Sequence, residues 1–190
     1  MKWTGKSSPS RRLISALALG GVCGLLFSPA AFGATQGSLG ATSTGTVTIS
    51  ASVPARARLT GLTDVSFINQ DPAVAASSPQ NACVWSNTAT KGYTITATGS
   101  GTGSAFTLAN GALTTPYSVQ WNASSGQISG TSLTAGTASA TLTSVATQQS
   151  CASGPASSAS LIVAIGTTDL QTMQALTTYT GILTLLITPQ

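Results

Sequence analysis

The side chains that most often do acid–base chemistry are nearly absent from this chain. It contains no histidine and no glutamate, and its three carboxylates, Asp64, Asp71 and Asp169, are scattered with no pairing in sequence. A general base of the usual kind is therefore missing. A serine nucleophile needs an activating partner, and Lys91, the one lysine beyond the first ten residues, lies in a glycine-bounded turn. The stretch "GSGTGS" at 99–104 fails the G-x-S-x-G elbow and also the G-x-G-x-x-G phosphate loop, because position 104 is Ser where the latter requires Gly. It reads as a hairpin tip. The expectation is a protein that is not an enzyme and takes no cofactor.

Cysteine carries the remaining covalent chemistry. Of the three cysteines, Cys23 falls in an apolar N-terminal run, leaving Cys83 and Cys151 as an even pair. In an exported chain such a pair predicts one disulfide, and without a histidine or a C-x-x-C spacing a metal site is not expected. Trp85 and Trp121 could offer a sugar-binding platform, but both alternate with strand residues and read as core. Asn122-Ala123-Ser124 matches a glycosylation sequon and is read as a chance match.

Residues 1–33 read as a secretory signal: Lys2, Lys6, Arg11 and Arg12, then the apolar run from Leu13 to Phe27, then "SPAAFG" with small residues suited to cleavage after Gly33. That run is shorter than the roughly 17 to 25 residues that span a bilayer. Gly20, Gly21 and Val22 before Cys23 do not form a lipobox. Removing 33 of 190 residues leaves 157, enough for one domain with a real core. The remaining basic residues, Arg56, Arg58 and Lys91, balance the three aspartates, so the excess of four positive charges belongs to the signal. Nucleic-acid binding needs a basic footprint, and this chain lacks one. A near-neutral surface loses the repulsion that keeps proteins apart, which points towards self-association.

The elements are strands. "YTITATG" places Tyr93, Ile95 and Ala97 on one face and threonines on the other, and "PYSVQWN" does the same with Tyr117, Val119 and Trp121. "SLIVAIG", apolar on both faces, reads as a central strand, and "ASATLTSVA" is a further candidate. "YTGILTLLITP" at 179–189 closes the chain with Leu183, Leu185 and Ile187 in one register. Only "TTDLQTMQAL" at 167–176 suits a short helix. An all-β sandwich with short turns is predicted.

Ahead of these strands, odd positions from 39 to 53 are Leu, Ala, Ser, Gly, Val, Ile, Ala and Val, while every even position from 38 to 52 is Ser, Gly or Thr. This alternating segment has no obvious hairpin partner. Paired with the closing strand, it makes the chain resemble a chaperone-usher pilin of the archaic type, related to the spore coat protein U domain. The family's Y-x-G or G-x-Y element with alternating apolar residues is matched by Tyr179, Gly181, Leu183, Leu185 and Ile187. Its N-terminal extension is matched by Val47, Ile49, Ala51 and Val53, with Pro54 as the break. Many members carry a cysteine early in the first body strand, where this chain has Arg56, Ala57 and Arg58, so its disulfide joins different strands.

The resemblance implies an immunoglobulin-like β-sandwich that is incomplete and completed by donor-strand exchange, with residues 34–53 as the extension and 54–190 as the body. It implies that a periplasmic chaperone lends a strand along Tyr179–Ile187, and that residues 47–53 of a neighbouring subunit replace it at an outer-membrane usher. The product would be a head-to-tail polymer, a cell-surface fimbrium serving adhesion or biofilm formation. The alternatives are a self-contained secreted sandwich that binds a surface or glycan, with residues 39–53 folded on their own domain, and a spore or outer coat protein.

Overall fold

A computed structural model describes residues 33–190; the expected signal lies almost wholly outside them. The chain divides into a unit ending at Ala51 and a body from Ser52 to Gln190. In chain order the body contains β1 (Ala57–Thr60), β2 (Ala76–Ser86), β3 (Gly92–Gly99), β4 (Thr107–Asn110), β5 (Leu113–Pro116), β6 (Ser118–Asn122), β7 (Thr131–Ser132), β8 (Leu142–Thr143), β9 (Ala159–Ile165), the helix α1 (Thr167–Thr172) and β10 (Leu183–Pro189). All ladders are antiparallel. One sheet has the order β1-β2-β9-β6-β7, a second β10-β3-β8, and β4 and β5 form a hairpin.

The period-two residues of both sheets meet in one core. Val84 of β2, Val119 and Trp121 of β6, and Leu161, Val163 and Ile165 of β9 pack with Tyr93, Ile95 and Ala97 of β3. Each large apolar side chain so buried contributes about 1.5–3 kcal/mol. Trp121 Nε1 donates to the Tyr93 hydroxyl at 3.1 Å, which bolts the sheets together where an indole N–H would otherwise lose water without a partner. The fold is an all-β sandwich, as the strand periodicity predicted.

Strand β9 lies at the centre of its sheet, and its outward residues Ser160 and Ile162 are also buried. The β6–β7 connection folds over this face. Ser160 Oγ donates to the Ser124 carbonyl and accepts from Gln127 N–H at 3.0 Å each, while Asn81 Oδ1 accepts from Gly126 N–H. The hydroxyl of Ser160, buried in that central strand, is thus fully hydrogen-bonded.

Strand β2 changes partners midway. Residues 76–82 pair with β9 and residues 83–86 with β1, so Val84, fully buried, loses its β9 neighbour. Serine hydroxyls take that strand's place. Ser158 Oγ accepts from Val84 N–H at 2.8 Å and donates to its carbonyl, which Ser144 Oγ also reaches. The segment carrying these serines is held by the Cys83–Cys151 disulfide, with Cα atoms 6.0 Å apart, as predicted from the cysteine pair. The candidate strand "ASATLTSVA" is mostly irregular. Only Leu142 and Thr143 form a ladder, and Ser139 and Ser144 spend their hydroxyls bridging to other strands.

Replacing Cys83 and Cys151 together by Ser should lower unfolding stability by about 4 kcal/mol, the loop-entropy value for their 68-residue separation. Denaturant titration of both forms measures it, and a loss below about 1 kcal/mol would contradict the assignment of strand closure to this bond. A second expectation concerns alkali. Burial pushes the hydroxyls of Tyr93 and Tyr117 above their ordinary value of 10.0, with the Trp121 hydrogen bond partly opposing this for Tyr93. The unfolded chain gives up these protons first, so the stability they carry is intact below pH 10 and falls as pH rises through the folded-state values. Melting temperature against pH should therefore drop above pH 10, and Tyr93→Phe should flatten that drop.

Candidate functional site

Sheet edges are where this fold is open to a partner. An edge strand presents a row of unpaired N–H and C=O groups, and proteins commonly blunt such edges by keeping them very short. That device is used at β7 and β8, each two residues long. The opposite edges are β1, four residues, and β10, seven residues, one from each sheet. They pass within 8 Å, Cα to Cα, without pairing.

The phase of β10 follows from its hydrogen bonds. Gln190 N–H donates to the Gly92 carbonyl, and Ile182 N–H to Ser100 Oγ, so even-numbered residues turn their backbone groups towards β3. On β3, Ile95 and Ala97 turn theirs the other way, accepting from Ser139 and Gly136. Backbone direction alternates along an antiparallel strand. The N–H and C=O groups of Leu183, Leu185 and Ile187 therefore face the free edge, while their side chains pack partly buried against the core. Strand β1 matches it: Asn87 N–H donates to the Arg56 carbonyl, which turns Ala57 and Leu59 outward at the edge, and Leu59 also packs on the core. The same residues thus offer apolar side chains below and free backbone groups alongside. On the other face of β10, Thr184, Leu186 and Thr188 are exposed opposite Thr98, Thr96 and Thr94.

Of the predicted groove residues, Leu183, Leu185 and Ile187 lie in β10, whereas Tyr179 and Gly181 precede it. Thr180 bridges to Ala109 of the β4–β5 hairpin, and the Tyr179 hydroxyl accepts from Gln174 N–H. A Cβ on Gly181 would stand 2.9 Å from the Thr107 carbonyl, so glycine is what lets the chain approach the hairpin there. Sequence reasoning missed that hairpin, although Gly111, which takes the positive φ of the two-residue Gly111-Ala112 loop between two short strand-like runs, is its signal.

The unit ending at Ala51 is separate from the body. Among its described residues, 33–51, there is no ladder and a single bridge, between Thr35 and Thr46, with N···O distances of 2.9 and 3.0 Å. Val47, Ile49 and Ala51 are exposed, Ile49 at 86%, as is Val53 in the first residues of the body.

The tryptophans form no common platform. Trp121 points inward and is buried, while Trp85 lies on the outer face of the same sheet against the disulfide. No protein-family model matches the chain, and no curated protein matches it.

Hydrogen exchange should read the strand phase directly. Amides of Thr184, Leu186 and Thr188 should exchange slowly and those of Leu183, Leu185 and Ile187 fast. Uniform protection along β10 would mean that its outer edge is covered.

Proposed function

We propose that the chain is a structural subunit of a bacterial surface fimbrium, assembled head to tail by donor-strand complementation. A periplasmic chaperone and an outer-membrane usher carry it to the polymer, which serves adhesion or biofilm formation. The observation that carries this reading is the long uncovered edge of β10, whose inward side chains are only partly buried. A sandwich that finished its own core would cover or shorten that edge.

The sheet orders support an immunoglobulin-like arrangement lacking a last strand, for which the free edge of β10 is the pairing site; β1, within 8 Å of β10, would have to move aside for a strand to enter between them. Residues 47–53 are seven in number, as are those of β10, and carry apolar groups at four alternate positions. Laid along β10, such a strand meets free backbone groups at Leu183, Leu185 and Ile187 and sends Val47, Ile49, Ala51 and Val53 towards the core. This is β-strand addition, in which main-chain hydrogen bonds give affinity and alternate side chains give specificity. The contact is heterologous and does not close on itself, so it propagates as a filament.

The test is Ile49→Asp, which would bury an unpaired carboxylate at a cost of several kcal/mol. Polymer yield should collapse while the melting temperature of a monomer supplied with the 45–53 peptide stays at the wild-type value. Thr48→Asp, on the polar face, should still polymerise. Fibre formation by Ile49→Asp at the wild-type rate would exclude residues 47–53 as the donor. Unfolding of the Ile49→Asp monomer itself would favour a sandwich that uses the segment internally.

A further inference from the structure

The charged side chains of the body are few, and they are sorted by sign. Arg56 and Arg58 lie level with Asn87 and Trp85 at the end of β2, and Lys91 follows in the turn into β3. The carboxylates lie the other way. Asp71 sits in the turn ahead of Ala76, the first residue of β2, with its carbonyl accepting from Val74 N–H. Asp169 is in α1, just past Ile165, which pairs with Ala76. Asp64 adjoins Thr63, which is bonded to Gln80 nearer that same end. The eleven residues of β2 separate the outermost groups by roughly 30 Å at the ordinary strand rise. A body of near-zero net charge thus has a basic pole and an acidic pole.

We propose that these poles dock on each other in successive copies of this chain, the basic pole of one subunit against the acidic pole of the next. The inference rests on the polymer reading above and adds what orients the subunits. The chain enters the body at the basic pole, where Asn87 Nδ2 donates to the Pro54 carbonyl and Asn87 N–H to that of Arg56. A donor segment inserted in a neighbour therefore brings its own basic pole to the point where it leaves that neighbour. Strand β10 runs from Gly99 towards Tyr93, that is, towards the basic pole. A donor antiparallel to β10 leaves at the acidic pole, and opposite charges meet. A parallel donor would bring two basic poles together.

Exposed charges are screened within about 10 Å at 0.1 M salt. Their contribution is to encounter rate and orientation more than to affinity, which suits a contact whose strength comes from the inserted strand.

The experiment exchanges the poles without altering net charge. A chain carrying Arg56→Glu, Arg58→Glu, Asp64→Lys and Asp71→Lys is mixed with isotope-labelled wild type, and native mass spectrometry counts mixed against unmixed oligomers. At about 20 mM salt, where screening is weak, each chain should assemble with its own kind, and mixed junctions should be depleted about tenfold relative to random mixing. At about 0.5 M salt mixing should become random. Arg58→Glu with Asp64→Lys alone, both exposed and away from the Asp71 turn, should sort in the same sense more weakly and serves if the fourfold variant does not fold. Random mixing at both salt levels would overturn the inference while leaving the polymer intact. Sorting that persists at high salt would overturn it too, because shape and not charge would then decide. Failure of the wild type to form oligomers at any salt would overturn the polymer reading and this inference with it.

Discussion

A peptide group withdrawn from water must keep a hydrogen-bond partner or lose about 1–3 kcal/mol, and the architecture of this body follows from where such partners come from. At Val84 the demand is met by two serine hydroxyls, because β9 stops at Ala159 and β2 continues without it. Over β9 the peptide groups of the β6–β7 connection find theirs on the side chains of Ser160 and Asn81. At two of the four sheet ends it scarcely arises, since β7 and β8 are two residues long. Strands β10 and β1 are the exceptions: Leu183, Leu185 and Ile187 of β10, and Leu59 of β1, hold apolar side chains inward and leave their peptide groups without a strand to meet.

How much of this could be read in the sequence depended on how each strand is stabilised. Strands that alternate β-branched or aromatic residues with small polar ones announced themselves: Tyr93, Ile95 and Ala97, then Val119 and Trp121, then Leu183, Leu185 and Ile187 all face the core as their spacing required. Strand β2 did not. Its first half, "ASSPQNA", has no apolar alternation and contains Pro79, and it is a strand because β9 supplies the ladder alongside it. The β4–β5 hairpin escaped for a different reason: its Leu108 and Leu113 are too few to set a period, and only Gly111 in the Gly111-Ala112 turn marks it. In the open edge, the side-chain register of β10 was legible, but which peptide groups remain free depends on long-range pairing with Gly92 and Ser100.

Scarcity of charge and abundance of hydroxyls belong together here. With six ionisable aspartate, arginine and lysine side chains beyond position 33, polar tasks fall to serine and threonine, which both donate and accept. Ser144, Ser158 and Ser160 do so inside the body, and threonines line the outer face of β3 and β10. A hydroxyl at a backbone group satisfies it without bringing a charge that would itself need a partner, so the sheets can be finished internally while the few charges remain at the two ends.

The disulfide has a mechanical consequence. Cys83 and Cys151 enclose β3 to β8, a span of 68 residues that amounts to about half of the body. Tension applied at Ser52 and Gln190 bypasses that span, since the covalent bridge carries the load across it. Forced unfolding therefore releases only about half of the body's contour length, at up to roughly 3.6 Å for each freed residue, and the enclosed strands remain under no tension. A body pulled apart in this way keeps β3, against which β10 must reform its ladder, on a short tether when the tension falls.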